Sequence, residues 1–189
     1  VLRVGVCANR APMVFRQDDG TIAGFEADFA RELAASLGKT ASFVDCDWID
    51  LISALLENRI DIIMSGMTIT TSRSVRVAFT DPYMNSGQIG LATNANAVRI
   101  SGVNSLRTAS IHIGMEKGTT GQIISQKFFT RAKKVAYAKP VQGVQAVLKG
   151  RIALFVHDAP VVWWFASLYE SQGLTALPFF ISEENIAWA

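Results

Sequence analysis

Charge, cysteine, histidine and long apolar runs are all scarce in this chain, and each scarcity removes a class of function. Only 18% of the 189 residues are charged and the net charge is +2, too little to hold a nucleic-acid backbone. Lys127, Arg131, Lys133, Lys134 and Lys139 do cluster. They flank expected surface turns without base-reading company, so they read as a solvated face. The two histidines, His112 and His157, are too isolated for a zinc site, and no metal or other cofactor is implied. The two cysteines, Cys7 and Cys46, each close an expected strand, LRVGVC and ASFVDC. Parallel neighbouring strands would allow a disulfide there; two buried free thiols are the alternative. No apolar stretch reaches membrane-spanning length, and APVVWWFASL (159–168) is much too short. No signal peptide is visible and Val1 opens almost directly into a strand, as in a mature or excised domain.

What is present is a hydrophobic half, enough for a large core in one or two domains. Strand and helix patterns alternate along it. LRVGVC (2–7) reads as a strand and FEADFARELAASLG (25–38) as a helix, with Phe25, Phe29, Leu33 and Leu37 as its apolar stripe and Gly38 as its stop. ASFVDC (41–46) is a strand. Residues 48–57 form a helix with Ile49, Ile52, Leu55 and Leu56 inward, and IDIIMSG (60–66) is a parallel strand buried on both faces. This β-α-β-α-β order implies a doubly wound sheet.

After the extended, polar segment QIGLATNANA (88–97) the pattern partly restarts. Strands are expected at 110–115, 133–138 and 151–158, helices at 118–129, 141–150 and 160–173. Two such blocks imply two α/β lobes, one from 1–91 plus 182–189 and one from 92–181. A two-strand hinge would join them and let them close on a ligand.

In open α/β sheets ligands bind beyond the carboxyl ends of the strands, and this chain puts polar residues there. Ser65, Gly66, Met67 and Thr68 follow IDIIM, and the glycine allows close backbone approach. Thr70 or Thr71 can cap the next helix, which places Arg73 in its first turn. A cation there opposes the helix dipole and needs an anion. A bidentate ligand carboxylate would serve; a pairing with Asp81 or Glu26 is the structural alternative. Gly118, Thr119, Thr120 and Gly121 form a turn that opens a helix and offers N–H donors to an anion. It lacks the spacing of a nucleotide loop, so a carboxylate fits better than a phosphate. Asp158 either pairs with a ligand ammonium or caps the helix that begins near Pro160. Trp48 either covers a ligand side chain or packs in the core. Together these residues describe a site for an α-amino acid.

The stretches GFEADFARELAASLG, WIDLISALLENRIDIIMSGMTITTSRSVRVAFTDPY, MEKGTTG, LKGRIALFVHDAP and ENIAWA resemble the amino-acid-binding proteins of ABC importers, in family order and over nearly the whole chain. The resemblance implies a two-lobed type II periplasmic binding protein with the ligand between its lobes. It also implies a periplasmic or lipid-anchored extracellular location, a monomer, and a membrane permease as partner. It makes Trp48 the packing aromatic and Arg73 the carboxylate clamp. Ser65, Gly66 and Thr68 bond the ligand's polar ends, Thr119 and Thr120 complete the cage, and Asp158 holds the ammonium. The HDAP run is most similar to the glutamine-binding branch, in which His157 would line the pocket.

The chain departs from the family in two places. The first loop, CANRAPMVF, is short and puts Arg10 and Met13 where acidic or aromatic residues are usual, so Arg10 either points to a polar or acidic ligand side chain or faces solvent. The helices that normally follow the second crossing and pack on the first lobe do not appear before Ala189. That lobe would then expose apolar surface unless something covers it. Two rival functions stand beside transport. One is a cyclohexadienyl-dehydratase-like enzyme acting on prephenate or arogenate, with Glu116, Lys117 and His157 as its only acid–base candidates. The other is the sensing or regulatory domain of a larger receptor or cell-wall enzyme.

Overall fold

The computed structural model describes all residues from Val1 to Ala189 and divides into two units, Val1–Asn85 with Glu184–Ala189, and Ser86–Glu183.

The first unit opens with β1 (Leu2–Val6), then a small antiparallel sheet of β2 (Asn9–Arg10), β3 (Val14–Arg16) and β4 (Ile22–Ala23). Helix α1 (Phe25–Ser36) leads to β5 (Ala41–Asp45), and a 3-10 turn at Trp48–Asp50 leads into α2 (Leu51–Leu56). After β6 (Ile62–Ile63) come β7 (Met67–Thr68) and the one-turn α3 (Thr71–Ser74). The central sheet has the order β5-β1-β6, all parallel, with Val6 opposite Asp45 and Gly5 opposite Ile63. The expected strand 60–66 is therefore cut short: β6 leaves the sheet after Ile63, and Met67–Thr68 joins another one.

Side-chain period two along β1 turns Leu2, Val4 and Val6 towards α1. The helix face they meet is not the expected stripe. Ala27, Ala30 and Ala34 are buried, whereas Phe25 and Phe29 are 41% and 39% exposed and Leu37 is exposed as well. Alanines at this spacing let a helix lie close to a sheet, and that packing outweighs the larger apolar area of the phenylalanines. Phe25 and Phe29 instead stack edge-on at 4.7 Å, and Phe29 lies 6.3 Å from Tyr83 and 5.6 Å from Trp188. On α2 the inward residues are Leu51 and Ala54, with Ile52 and Leu55 half-buried; Ile49 and Leu56 face solvent, against expectation.

β8 (Met84–Ser86) carries the chain into the second unit. There β9 (Gln88–Thr93), α4 (Asn94–Ala97) and α5 (Val103–Thr108) precede β10 (His112–Glu116), α6 (Thr120–Phe128) and β11 (Lys133–Tyr137). Helix α7 (Pro140–Leu148), β12 (Leu154–Asp158), α8 (Ala159–Leu168) and β13 (Leu174–Ala176) follow. α8 is shorter than expected because a separate 3-10 turn, Glu170–Gln172, takes up its last residues. The sheet order is β11-β10-β12-β9-β13, with β9 antiparallel to both neighbours. The first six residues of the segment expected to be a polar connection, Gln88–Thr93, thus form an almost wholly buried strand, and the remainder is α4. Along β12, Leu154 and Val156 enter one core with Ile113 and Met115, while Phe155 enters another with Ile89, Leu91 and Val144. The sheet is covered on both faces, as a largely parallel sheet requires. The chain then returns to the first unit as β14 (Glu184–Ala187), antiparallel to β7 with Ile186 opposite Thr68.

Candidate functional site

In the first unit the expected site residues gather where β1, β5 and β6 end. β1 leads to Arg10 on β2, β5 to Trp48, and β6 to Ser65 and Gly66. Trp48 is only 8% exposed and packs with Cys7, Leu51, Ile60, Ile63 and Met67, so it belongs to the core while also serving as a platform. The Arg10 guanidinium carbon lies 3.7 Å from the centroid of the Trp48 ring and that of Arg73 lies 5.3 Å from it. Cation–π contacts of this kind contribute about 0.5–2 kcal/mol. The two cysteines form no disulfide: Cys7 is buried, and Cys46 is half-buried, its thiol pKa raised above the ordinary value by burial.

The loop from Ser65 to Arg73 is held from within. Ser65 Oγ accepts the Cys7 amide at 2.9 Å, and the Gly66 amide donates to Glu26 Oε1 at 2.6 Å. Gly66 has φ +68°, a left-handed backbone that a side chain would strain. Met67 is buried in the core, and Thr68 Oγ1 donates to Glu184 Oε2 at 2.8 Å. Thr70 caps α3, its hydroxyl accepting the Arg73 amide at 3.2 Å. Arg73 is half-buried, and its Nη1 donates to the Thr68 carbonyl at 2.7 Å. The guanidinium is thereby braced against the loop beside Trp48.

Glu26 is the residue that sequence reasoning underrated. Its carboxyl is buried and receives the Gly66 amide, the Tyr83 hydroxyl and, at 2.8 Å, Trp188 Nε1. Burial pushes its pKa above the ordinary carboxylate value, and the three hydrogen bonds only partly offset that. It ties the glycine loop to the segments through which the chain leaves and re-enters this unit. An acid in a helix's first turn, with Asp28 two residues on, gives no sign of such partners.

In the second unit the expected residues gather at the ends of β10 and β12. Asp158 does not cap α8 through its side chain. Instead its Oδ1 accepts Gln88 Nε2 at 2.7 Å, and the same Nε2 donates to Thr120 Oγ1 at 3.0 Å. The antiparallel register sets Gln88 opposite Asp158, which a reading of β9 as a linker could not anticipate. Thr119 Oγ1 donates to the Glu116 carbonyl at 2.8 Å, and the Gly118 amide to Gln122 Oε1 at 2.8 Å. Thr119 is the N-cap of α6, so the helix opens here and directs its first amides outward.

His157 is wholly buried beside Asp158. Its Nε2 is 2.7 Å from Glu116 Oε2, and its Nδ1 is 3.2 Å from Asp158 Oδ2 and 2.8 Å from the Asp158 amide. Burial alone would lower its pKa, but hydrogen bonds and charge from Asp158 and Glu116 outweigh it and hold the imidazole above its ordinary value. Neutral, it accepts the Asp158 amide; protonated, it turns Nδ1–H to the Asp158 carboxylate.

Residues 2–128 match the model of the bacterial extracellular solute-binding proteins, family 3. Cyclohexadienyl dehydratase of Pseudomonas aeruginosa is 26% identical over 159 residues, 84% of this chain and 59% of that protein. The L-cystine-binding protein TcyJ of Escherichia coli is 32% identical over 114 residues, 60% of this chain and 43% of that protein. The chain thus spans less than two thirds of the length of either relative. A putative ABC-transporter binding component from Wolinella succinogenes, solved with lysine, superposes with a TM-score of 0.95 at 30% identity, over 100% of this chain and 81% of that one. A matched stretch from β1 through α6, carried by a fold of the same topology, means that the chain belongs to the bacterial extracellular solute-binding proteins of family 3.

Proposed function

We propose that this chain captures a polar L-α-amino acid for uptake by an ABC-transporter permease, from a periplasmic or extracellular location. Arg73 clamps the carboxylate, with Thr68 and the Ser65–Gly66 backbone around it. Asp158 holds the ammonium, and the Thr119–Thr120 turn with Gly118 closes the cage. Trp48 carries the side chain, and Arg10 and Met67 lie beside it. His157 acts through Asp158, keeping that carboxylate in place. The observation that carries the reading is a matched pair of braced charges at strand ends. Arg73 is fixed on the Thr68 carbonyl in one unit, and Asp158 is fixed by Gln88 in the other. An amino acid's head group complements such a pair, and the two crossings near residues 85 and 183 would serve as the hinge. No helix is long and apolar enough to cross a membrane.

Calorimetric titration with L-amino acids tests the assignment. Arg73→Ala and Asp158→Ala should each weaken binding at least about tenfold, roughly 1.4 kcal/mol. Unchanged affinity in both variants would refute it.

A second reading has its own observation: the dehydratase relative, together with the buried Glu116–His157 pair. A buried acid–base pair is also what proton transfer needs. Incubating the protein with a cyclohexadienyl carboxylate and following aromatic absorbance distinguishes the two, since only an enzyme turns the compound over.

A further inference from the structure

We propose that the second unit carries a basic face, at the end of its sheet remote from Thr119, Thr120 and Asp158, that docks on a bilayer surface of anionic phospholipid. Such docking is independent of the amino-acid reading above. Its basis is the division of charge along the chain. Between Ser86 and Glu183 stand ten Lys and Arg residues against four Asp and Glu, whereas the rest of the chain has eight against twelve. Two of those four acids, Glu116 and Asp158, are buried. The small net charge of +2 thus conceals a strongly cationic unit.

Topology gathers the cations. Where strands run parallel, every segment that leads into one of them arrives at their common amino end. β10, β11 and β12 are parallel, with His112 opposite Lys133 and Ile113 opposite Leu154. Lys127 and Arg131 lead into β11, which itself opens with Lys133 and Lys134. Lys149 and Arg151 precede β12. Arg107 precedes β10 and meets Lys127 on the Phe128 ring, each 5.3 Å from its centroid. All seven are exposed. The acid at that end, Glu170, follows α8 beside β13, the opposite edge of the sheet from β11. None of the seven forms an ion pair, whereas Arg3, Arg16, Arg31 and Arg59 of the first unit each hold a carboxylate. A face that meets only solvent ordinarily intersperses both signs; this one carries a single sign.

The texture of the face selects its partner. None of the seven side chains is buried, so they frame no pocket for one small anion. α6 and α7 pack on opposite faces of the sheet. With strands about 4.8 Å apart and helices about 10 Å thick, the charges spread over roughly 20–30 Å. A protein partner of that size needs an apolar centre. The loops at 129–132 and 149–153, which lie amid these charges, expose no large apolar side chain. A plane of lipid phosphates asks for charge density and no particular shape, and each Lys or Arg within a Debye length of it adds attraction. A protein serving a membrane permease would thereby be held near its partner.

Flotation of the full chain with vesicles of phosphatidylglycerol and phosphatidylcholine in equal parts, or of phosphatidylcholine alone, tests this. At about 0.01 M salt, where charges act over about 30 Å, affinity for the anionic vesicles should be at least about tenfold higher, and about 1 M salt should abolish the difference. Lys133→Glu with Lys134→Glu should cut anionic-vesicle affinity at least about tenfold, and Lys149→Glu with Arg151→Glu should do the same from another loop. Lys39→Glu with Arg76→Glu, at exposed positions of the first unit, changes the net charge equally and should cost less than about threefold. Circular dichroism reports whether each variant folds, and if one pair on the face does not, the other decides. Equal binding to both lipids, binding that salt does not weaken, or an equal loss from the first-unit pair overturns the proposal. Capture of poly-L-glutamate with no binding to either vesicle also overturns it and assigns the face to an acidic protein. Calorimetry with amino acids reads the amino-acid proposal separately, so either can fail alone.

Discussion

Two buried ionisable groups, Glu26 and His157, do most of the fixing at the scale of single residues, one in each unit. Glu26 accepts from an amide, a hydroxyl and an indole N–H that come from three separate stretches of chain. In Glu26→Gln the new NH2 must face either the Gly66 amide or the Trp188 indole N–H, donor against donor. The variant should lose about 1–3 kcal/mol of stability by urea denaturation; a loss within error of zero would mean that the contacts carry no net energy.

Both groups have raised pKa values in the fold, and the sign is the same for both. The stability each contributes is present below its unfolded value and is lost as pH rises through its folded value. For His157 that window opens at the ordinary imidazole value of about 6.5 and extends upward. Wild-type protein should therefore lose urea stability as pH rises above about 6.5, and His157→Gln should flatten that slope. A wild-type slope of the opposite sign would show that burial outweighs the two carboxylates.

Elements were legible in the sequence where period and punctuation agreed, and illegible where packing reversed them. Parallel β5, β10 and β12 could be read because each lies between helices, and β1 because its alternating apolar residues open the chain. The inward face of α1 could not, because hydrophobic size favoured Phe25 and Phe29 while close approach to the sheet favoured Ala27, Ala30 and Ala34. β9 was missed for a related reason. Its small residues read as a linker, and only its antiparallel register with β12 reveals a core strand that brings Gln88 to Asp158. Of the candidate site, the residues at strand ends could be named, but Glu26, Gln88 and Glu184 brace them through contacts too distant in sequence to foresee.

Helix α7 offers a test of close packing at this scale. A Cβ on Gly143 would lie 2.1 Å from the Phe155 ring, which is itself fully buried. Alanine gains up to about 1 kcal/mol in helix propensity, whereas overpacking a core costs about 1–3 kcal/mol. Gly143→Ala should therefore lower the melting temperature despite the better helix former; a rise would mean that β12 and α7 part at little cost.

At the scale of the whole molecule, the proposed ligand carries the charges that complement Arg73, braced on the Thr68 carbonyl, and Asp158, braced by Gln88. A ligand that binds only the folded protein stabilises it by about 2.7 kcal/mol at a hundred times its dissociation constant. The preferred amino acid should thus raise the melting temperature by several degrees, and Arg73→Ala or Asp158→Ala should each abolish most of that shift.

The most direct test of the central claim asks whether both ends of the head group are read. Calorimetry would compare the best L-amino acid with its deaminated acid and its decarboxylated amine. One site per chain is expected for the amino acid, with at least about tenfold weaker binding of both analogues. Equal affinity for either analogue, or no binding of any amino acid, would contradict it.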